Sequence, residues 1–225
     1  MHATKFAELR ENYTKSGLLE EFALPDPIAQ FHTWFDEALA ASIVEANAMS
    51  LATASSDAVP SVRIVLLKAL DSRGFSFFTN YDSRKGHELD ANPHAALCFH
   101  WKELERQVRA TGQVERMSPD ESAAYFAARP RGSQIGAWAS AQSTPIPNRE
   151  TLEAARRQYE QDFDAQPVPM PPFWGGYILR PTAIEFWQGR PGRLHDRLVY
   201  HRLTGSNLKD GNPSDDTWLI TRLSP

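Results

Sequence analysis

The sequence has one cysteine, no long apolar run and no excess of positive charge. Because Cys98 has no second cysteine to pair with, an intramolecular disulfide is excluded, and its apolar neighbours predict a buried structural thiol. The strongest apolar run, Ile64–Leu67, ends at Lys68 and is far shorter than the roughly 20 residues of a membrane-spanning helix. Residues 1–13 are polar and contain no apolar stretch of the kind found in secretory signals. We therefore expect a cytoplasmic protein.

Several motifs of common chemistry are also missing. The sequence contains no Gly-x-Gly-x-x-Gly motif, no phosphate-binding P-loop and no Gly-x-Ser-x-Gly motif of a serine hydrolase. Its seven histidines are scattered without the spacing of a zinc motif, so no metal site is predicted. With 24 basic and 28 acidic residues the net charge is −4, which disfavours a general nucleic-acid-binding surface but permits a local cationic pocket.

The chain length of 225 residues predicts a single domain over 1–225, in which the polar residues 1–22 are mobile unless a ligand or partner orders them. Consecutive extended runs with a few inserted helices predict a mainly β protein with helices (α+β), built as an antiparallel barrel or sandwich. The expected strands are Ala48–Ala54, Val62–Leu70, Phe75–Thr79, Ala95–Trp101, Gln107–Met117, Gly176–Leu179, Ala183–Trp187, Arg193–Arg202 and Trp218–Leu223. Helices are expected after Asp26-Pro27, from Ser83 to Asp90, from Pro119 to Arg129 and over Asn148–Phe163.

The segment Arg193–Arg197, with the sequence RLHDR, places a histidine between two arginines. If the segment is extended, alternation directs Arg193, His195 and Arg197 to one face of the strand. Two interpretations remain open from these residues. The face is either a cleft wall that requires an anion and favours neutral histidine, or a solvated strand face on which Asp196 is a local partner.

Two other cationic clusters also allow two interpretations. Ser83-Arg84-Lys85 begins a helix after a strand, where two cations oppose the helix dipole unless a phosphate binds; the alternative is a solvated basic turn. Arg63 and Lys68 flank the run RIVLLK on opposite strand faces, so both serve one ligand only through a bulge or backbone contacts. The alternative for the lysine is an edge position with its charge in solvent.

A third cluster lies near the end of a predicted helix. Tyr125 and Arg129 are four residues apart on one helix face, and Arg131 and Ser133 follow just beyond. Two hydroxyls and a guanidinium form a phosphate clamp in one interpretation. In the other, the arginine is at the helix C-terminus because the helix dipole favours a cation there.

In this order, the clusters resemble the pyridoxamine 5′-phosphate oxidase family, and the resemblance extends from about Arg10 to the last residue. The matching segments are Arg63–Lys68, Phe78-Thr79-Asn80, Ser83-Arg84-Lys85, Glu105–Val108, Tyr125-Phe126, Arg129-Pro130, Ser133–Ala137, Gln142-Ser143, Trp174-Gly175-Gly176, Glu185–Gly189, Arg193–Arg197 and Arg222–Pro225. The resemblance implies an FMN-binding split barrel, which is an antiparallel Greek-key β-barrel. It also implies a homodimer that binds FMN at the subunit interface with residues from both chains.

The resemblance further implies a role for each matching position. It assigns FMN contacts to Arg63, Ile64, Val65, Leu66, Leu67, Lys68, Phe78, Thr79, Arg84, Lys85, Gln107, Gln142, Ser143, Trp187 and Arg197. It assigns substrate contacts to Arg10, Tyr13, Lys68, Tyr125, Arg129, Ser133, Arg193, Leu194 and His195. Arg193 and His195 are the implied catalytic pair beside the pyridine ring, and Arg10 and Tyr13 belong to an N-terminal segment that closes over the substrate.

The reaction implied by the resemblance is the oxidation of pyridoxamine or pyridoxine 5′-phosphate to pyridoxal 5′-phosphate in vitamin B6 metabolism. Hydride from the C4′ carbon passes to FMN, and dioxygen is reduced to hydrogen peroxide. Two alternatives remain: another split-barrel flavin oxidoreductase, such as a secondary-metabolite oxidase, or a non-catalytic carrier of FMN or pyridoxal phosphate. We assign no role to residues 204–216.

Overall fold

The computed structural model describes Tyr13, residues 17–203 and residues 217–225. Its strands are β1 (Ala48–Ala54), β2 (Pro60–Leu66), β3 (Ala69–Asp71), β4 (Gly74–Asn80), β5 (His94–Trp101), β6 (Arg106–Arg116), β7 (Trp174–Gln188), β8 (Asp196–Arg202) and β9 (Trp218–Arg222). Its α-helices are α1 (Pro27–Ala40), α2 (Arg84–Ala91), α3 (Pro119–Ala127), α4 (Arg131–Ala139) and α5 (Arg149–Asp162). Short 3₁₀ helices cover Glu20–Phe22, Lys102–Leu104 and Pro191–Arg193. Arg10 and residues 204–216 lie outside the described residues.

The strands form one sheet in the order β2-β1-β5-β6-β7-β4-β3, and β8 pairs with both β7 and β9. The pairs β3–β4, β4–β7, β7–β8 and β8–β9 are antiparallel. Because β7 is 15 residues long, its first part pairs with β4 and its last part with β8. The predicted mainly β architecture, with antiparallel strands and helices, is therefore confirmed.

The chain divides into two compact units. The first unit consists of residues 1–49, 97–110 and 181–225, and the second of residues 50–96 and 111–180. In the first unit the core is rich in aromatic rings: the ring centroids of Phe31 and Phe99 are 4.9 Å apart, and those of Phe186 and Tyr200 are 5.4 Å apart. The single domain over 1–225 stays a prediction.

The second unit has its own buried cluster, which consists of Phe126, Ile135, Val168 and Trp174. Phe126 is the last buried residue of α3, and Ile135 lies in α4. The cluster thus holds α3 and α4 against the start of β7, and the rings of Phe126 and Trp174 are in edge contact within it.

Several element boundaries are set by local hydrogen bonds that the sequence predicts. At the start of α1 the carboxylate of Asp26 accepts from the backbone N–H groups of Ile28 and Ala29. Ser118 and Glu121 form a capping box at the start of α3, and the side chain of Asn148 caps α5. The predicted helix starts are therefore confirmed, because capping depends on residues only two or three positions apart.

The predicted elements differ from the structure at three places besides the strand expected over Arg193–Arg202. The run Val62–Leu70 is interrupted, because β2 ends at Leu66 and β3 begins at Ala69. The two strands expected between Gly176 and Trp187 are one continuous strand, β7. The helix α4 was not predicted, since its N-cap is Pro130 and provides no side-chain capping bond to recognise.

The strand expected over Arg193–Arg202 is wrong at its start. Pro191–Arg193 is a 3₁₀ turn in which Gly192 and Arg193 both have a φ of 64°, and β8 begins only at Asp196. Left-handed backbone is incompatible with an extended strand. The alternation that placed Arg193, His195 and Arg197 on one strand face therefore does not apply.

Candidate active site

A cavity of about 620 Å³ opens in the second unit beside the ends of β2 and β4. Ten of the predicted site residues line it: Ile64, Val65, Leu66, Lys68, Phe78, Thr79, Tyr125, Arg129, Ser133 and Gln142. The lining that the sequence did not predict includes Asn80, Pro130, Gly136, Ala137, Ser140 and Trp174. Of these, all but Ser140 stand in segments quoted for the family resemblance, so the segments held a signal for them. Among the described lining residues there are two cations and no carboxylate.

Lys68 reaches this cavity because the chain leaves the strand geometry just before it. β2 ends at Leu66, and the backbone N–H of Lys68 bonds to the carbonyl oxygen of Ser76 at 2.9 Å. Leu67 is buried and does not line the cavity, whereas Lys68 is exposed and does. The break between β2 and β3 removes the constraint that placed Arg63 and Lys68 on opposite faces.

Arg129 presents an unsatisfied cation to the cavity. Its guanidinium carbon is 4.7 Å from the ring centroid of Trp174, and its Nη1 atom is buried without a hydrogen-bond partner among the described residues. Burial lowers the pKa of Arg129, although the guanidinium remains charged. Tyr125 stacks on Phe78 with ring centroids 3.9 Å apart, and Ser133 lies in the first turn of α4. A buried, unpaired guanidinium N–H is costly, so this corner is suited to an anion.

Lys85 is a buried cation that is held by neutral groups. Its ammonium donates to Gln142 Oε1 at 2.6 Å, to Thr79 Oγ1 at 2.9 Å and to Ser83 Oγ at 3.3 Å. Burial, followed by the charge of Arg63, lowers the pKa of Lys85 to about 8. The helix α2 places this lysine at its N-terminus, where Ser83 is the cap. A second anion, close to Thr79 and Gln142, would relieve the buried charge.

Arg63 and Arg84 converge on one carboxylate, Glu88 of α2. Arg63 Nη2 donates to Glu88 at 3.2 Å and Arg84 Nε donates at 2.8 Å, and hydroxyl groups of Thr53 and Ser61 bond the same carboxylate. Burial raises the pKa of Glu88, but these hydrogen bonds outweigh it and hold the pKa at about 2. Arg63 is therefore bound to Glu88 and does not line the cavity. Sequence reasoning did not identify Glu88.

A neighbouring cavity of about 570 Å³ in the second unit is lined by Arg84 and Ser143, together with Gln142. Ser143 has a φ of 72°, so the loop after Gln142 turns through left-handed backbone there. Arg84 and Ser143, both predicted to contact FMN, thus both line this second cavity.

The remaining predicted residues belong to the first unit. His195 lies against two aromatic rings: its ring centroid is 4.6 Å from that of Trp187 and 5.5 Å from that of Tyr13. The Nδ1 atom of His195 accepts a hydrogen bond from the backbone N–H of Arg190 at 3.1 Å. Burial and then the charge of Arg193 lower the pKa of His195, although Asp196 opposes them. The imidazole is therefore neutral at pH 7 and carries its proton on Nε2.

Arg197 is fixed at the start of β8. Its guanidinium donates to both carboxylate oxygens of Glu185, at 2.9 and 3.2 Å, and to the carbonyl oxygen of Ser224 at 2.9 Å. Arg193 and Leu194 are exposed in the turn before β8, and Gln107 lies on β6. Glu185 is a second carboxylate that the sequence reasoning missed, although a charged residue in the apolar run Ala183–Trp187 was a signal for it.

Asp196 connects the two ends of the described chain beside His195. Its carboxylate accepts from the backbone N–H of Leu18 at 3.0 Å and from Arg222 Nη1 at 2.7 Å. Arg222 also bonds the carbonyl oxygen of Leu18 and the carboxylate of Glu20. Residues 18 and 20, which belong to the segment expected to be mobile, thus have defined partners.

Sequence comparison identifies relatives over the whole chain. Residues 35–161 match the family model described as pyridoxamine 5′-phosphate oxidase, and residues 174–225 match that of the pyridoxine 5′-phosphate oxidase C-terminal dimerisation region. A pyridoxine/pyridoxamine 5′-phosphate oxidase from Cupriavidus taiwanensis is 56% identical over 222 residues, which cover 99% of this chain and 100% of the relative. One from Rubrobacter xylanophilus is 60% identical over 196 residues, covering 87% and 90%.

Solved structures give the same result for the fold. The crystal structure of PhzG from Burkholderia lata, in complex with tetrahydrophenazine-1-carboxylic acid, is 31% identical with a TM-score of 0.84, and the match covers 96% of this chain and 100% of that one. A pyridoxamine 5′-phosphate oxidase-related, FMN binding protein from Nostoc punctiforme is 18% identical with a TM-score of 0.66, covering 87% and 97%. These matches confirm the predicted split-barrel fold.

Within the ranges that the structure describes, no helix has the length and apolar character needed to span a membrane. The similarity of sequence and fold extends over both units and includes every segment from which the site was predicted. The chain belongs to the pyridoxamine 5′-phosphate oxidase family.

Proposed function

We propose that the protein oxidises pyridoxamine 5′-phosphate and pyridoxine 5′-phosphate to pyridoxal 5′-phosphate, with FMN as its cofactor and dioxygen as the final electron acceptor. The observation that supports this most directly is the arrangement of cations in the second unit. Among the described residues, Arg129 has a buried N–H without a partner, Lys85 is bonded only to neutral acceptors, and the cavity lining contains no carboxylate. Two separate positions for anions suit a reaction in which cofactor and substrate each carry a phosphate.

The described residues fit an FMN phosphate at Lys85. Its ammonium, the hydroxyl of Thr79 and the amide of Gln142 already lie within hydrogen-bond distance of one another. A phosphate at this point would accept from the ammonium and raise its depressed pKa. Arg84 and Ser143 would add donors from the second cavity, and Arg197, Trp187 and Gln107 are the proposed contacts to the flavin ring. When bound, FMN would supply the hydride acceptor that dioxygen reoxidises, with release of hydrogen peroxide.

The substrate phosphate is assigned to Arg129, Lys68, Tyr125 and Ser133. Arg129 supplies a fixed charge and the others supply hydrogen bonds, so this corner distinguishes phosphorylated from unphosphorylated substrates. A phosphate-free ring would leave the buried Nη1 of Arg129 unpaired. This is the reason to favour B6 phosphates over an unphosphorylated secondary metabolite as the substrate.

His195 and Arg193 are the proposed contacts to the pyridine ring and its hydroxyl group. Because Nδ1 of His195 accepts from a backbone N–H, the Nε2–H is the group available to donate to the substrate. The role of these residues is orientation of the C4′ carbon, which must lose a hydride. With the amine substrate, water then hydrolyses the imine to the aldehyde and ammonia. Tyr13 packs beside His195 and Trp187, as expected of a segment that closes over the substrate.

We further propose a homodimer with FMN at the subunit interface and residues from both chains around it. The match of residues 174–225 to the family's dimerisation region supports the dimer, and the family resemblance supports the position of FMN. The proposed location of the enzyme is the cytoplasm.

The function is tested by incubating the FMN-loaded protein with pyridoxamine 5′-phosphate and pyridoxine 5′-phosphate while oxygen uptake and pyridoxal 5′-phosphate formation are followed. We expect one hydrogen peroxide per aldehyde formed with each phosphate, and little turnover of unphosphorylated pyridoxamine. A protein that binds FMN but oxidises neither phosphate would be a carrier, and the proposal would be wrong. Turnover of unphosphorylated substrates alone would indicate a different flavin oxidase.

A further inference from the structure

A buried carboxylate, Glu185 of β7, lies behind the guanidinium of Arg197. Only 8% of Glu185 is exposed, and its two oxygens accept from Nε and Nη2 of Arg197 in a bidentate pair. Arg109 of β6 donates to the same carboxylate. Burial raises the pKa of Glu185, but the hydrogen bonds from Arg197 and Arg109 outweigh it and leave the pKa below its ordinary value. The carboxylate is therefore ionised at neutral pH.

The strand register explains how Glu185 reaches Arg197. In the β7–β8 pair Trp187 is opposite Arg197, while Glu185 is opposite Val199. Glu185 and Trp187 are two positions apart on one strand and share a face, so Glu185 and Arg197 are diagonal neighbours on that face. The carboxylate and the guanidinium therefore lie beside each other on the same face of the sheet.

The guanidinium of Arg197 is held from two sides. Nε and Nη2 are bound to Glu185, and Nη1 donates to the carbonyl oxygen of Ser224 at 2.9 Å. A guanidinium has five N–H groups. Contacts with described residues account for three of them, and one N–H on each terminal nitrogen remains.

We infer that Glu185 is a positioning residue for the flavin: it fixes the plane of Arg197 so that the two remaining N–H groups face the polar edge of the flavin ring. The inference rests on the proposed function, because it takes Arg197 as a flavin contact. A guanidinium already held by a bidentate carboxylate loses less rotamer freedom when the flavin binds, so binding is stronger than with a mobile arginine. The same carboxylate also binds Arg109, so its buried negative charge has two cationic partners.

The test is a double-mutant cycle on FMN affinity. Apoprotein is titrated with FMN, and the dissociation constant is read from the change in flavin fluorescence for the wild type, Glu185→Gln, Arg197→Ala and the double variant. We expect Glu185→Gln to raise the dissociation constant about tenfold, because it removes the charge and one acceptor of the pair. We expect no further increase when it is added to Arg197→Ala, since Glu185 acts through Arg197.

Two further measurements separate positioning from a general structural role. The visible absorption bands of bound flavin should shift in both Glu185→Gln and Arg197→Ala, in the same direction. Glu37→Gln is the control, because it removes the carboxylate partner of Arg106 in the same unit and should leave both the affinity and the spectrum unchanged. If Glu185→Gln does not fold, Glu185→Asp retains the charge on a shorter side chain and takes its place.

If Glu185→Gln weakens FMN binding equally in the wild-type and the Arg197→Ala background, Glu185 acts on the fold and not through Arg197. That result overturns the inference. An unchanged FMN affinity in Glu185→Gln, or in Arg197→Ala, overturns it as well. These outcomes differ from a failure of the proposed function, because FMN binding is measured without turnover. Failure of the function appears instead as a wild-type protein that binds FMN and oxidises neither B6 phosphate.

Discussion

Replacing Lys85 by methionine tests the assignment of the FMN phosphate directly. In the folded protein the ammonium is buried, with 9% of the residue exposed, and its acceptors Thr79, Ser83 and Gln142 are all uncharged. Burial and the nearby charge of Arg63 lower the pKa of Lys85 to about 8. The charged form is therefore costly without an anion, and a phosphate would remove that cost.

The size of the effect follows from the charge pair. Two unit charges about 4 Å apart interact by about 4 kcal/mol at an effective dielectric constant of about 20. In Lys85→Met, water would recover part of the interaction that the phosphate makes with the lysine. We therefore expect this substitution to weaken FMN binding by about 3 kcal/mol, or roughly 150-fold in Kd. Riboflavin has no phosphate, so its affinity should change little. The preference for FMN over riboflavin is thus the quantity to measure.

The assay titrates apoprotein with FMN and with riboflavin and follows flavin fluorescence. Lys102→Met is the control, because it makes the same side-chain change at an exposed position of a 3₁₀ helix in the first unit. We expect the control to retain the wild-type preference and Lys85→Met to lose it. Equal weakening of both ligands by Lys85→Met, or unchanged FMN binding, would refute the phosphate assignment.

The lowered pKa of Lys85 predicts that FMN affinity and the stability of the apoprotein both depend on pH. Its pKa of about 8 lies below the ordinary value of 10.5, so Lys85 in the apoprotein loses its charge as the pH rises through 8. FMN affinity should therefore decrease from pH 7 to pH 9.5 in the wild type, and this decrease should be absent in Lys85→Met. Between pH 8 and 10.5, Lys85 is protonated in the unfolded chain and largely deprotonated in the folded apoprotein. Because the unfolded chain binds more protons in this range, the free energy of unfolding of the apoprotein increases as the pH rises. The contribution of Lys85 to this increase is up to roughly 3 kcal/mol.

Three further substitutions, one of them paired with a control substitution, give distinct expectations. Arg129→Ala should raise the KM for both B6 phosphates about 100-fold, with a smaller change in kcat, because it removes a charged hydrogen bond to the substrate phosphate. An unchanged KM in steady-state kinetics would contradict the assignment of Arg129 to that phosphate. Gly86→Ala should lower the free energy of unfolding by about 3 kcal/mol, since the new Cβ would lie 1.9 Å from the backbone oxygen of Tyr81. Gly136→Ala, where a Cβ meets nothing within 4 Å, is its control and should stabilise the helix by about 1 kcal/mol in urea denaturation. Asp196→Asn should lower the free energy of unfolding by about 2 kcal/mol, because it removes the charge of the carboxylate that accepts from Arg222 and from the backbone N–H of Leu18. An unchanged midpoint of urea unfolding would show that these contacts are dispensable.

The parts of the fold that the sequence predicts correctly depend on close neighbours in the chain. The capping box of Ser118 and Glu121 spans three residues, and the Asp26-Pro27 start of α1 spans even fewer. The break at Leu67 depends instead on a hydrogen bond between Lys68 and Ser76 in another segment. The turn before β8 requires left-handed backbone at Arg193, a residue type that gives no signal for it.

The candidate site shows the same difference between features that depend on close neighbours in the chain and features that depend on distant segments. Its cations stand in segments that the family resemblance contains, and the structure brings ten of the predicted residues around one cavity. The carboxylates that hold those cations were not predicted. Glu88 binds Arg63 from 25 positions away and Glu185 binds Arg197 from 12 positions away, so neither of these pairs has a local pattern. Only the pair of Arg84 and Glu88, four positions apart on α2, has one. A carboxylate within a buried strand requires a partner, and that rule is the available signal for Glu185.

The contacts around Asp196 have a consequence for the order of events during synthesis. Leu18 and Glu20 obtain Arg222 as a partner only across separations of 204 and 202 residues. At roughly 5–20 residues per second, a ribosome adds these residues in about 10–40 s, during which the N-terminal segment has no such partner. The surroundings of His195 are therefore completed after β9 has emerged, so a nascent chain that stops before Arg222 exposes an unfinished pocket to chaperones and proteases.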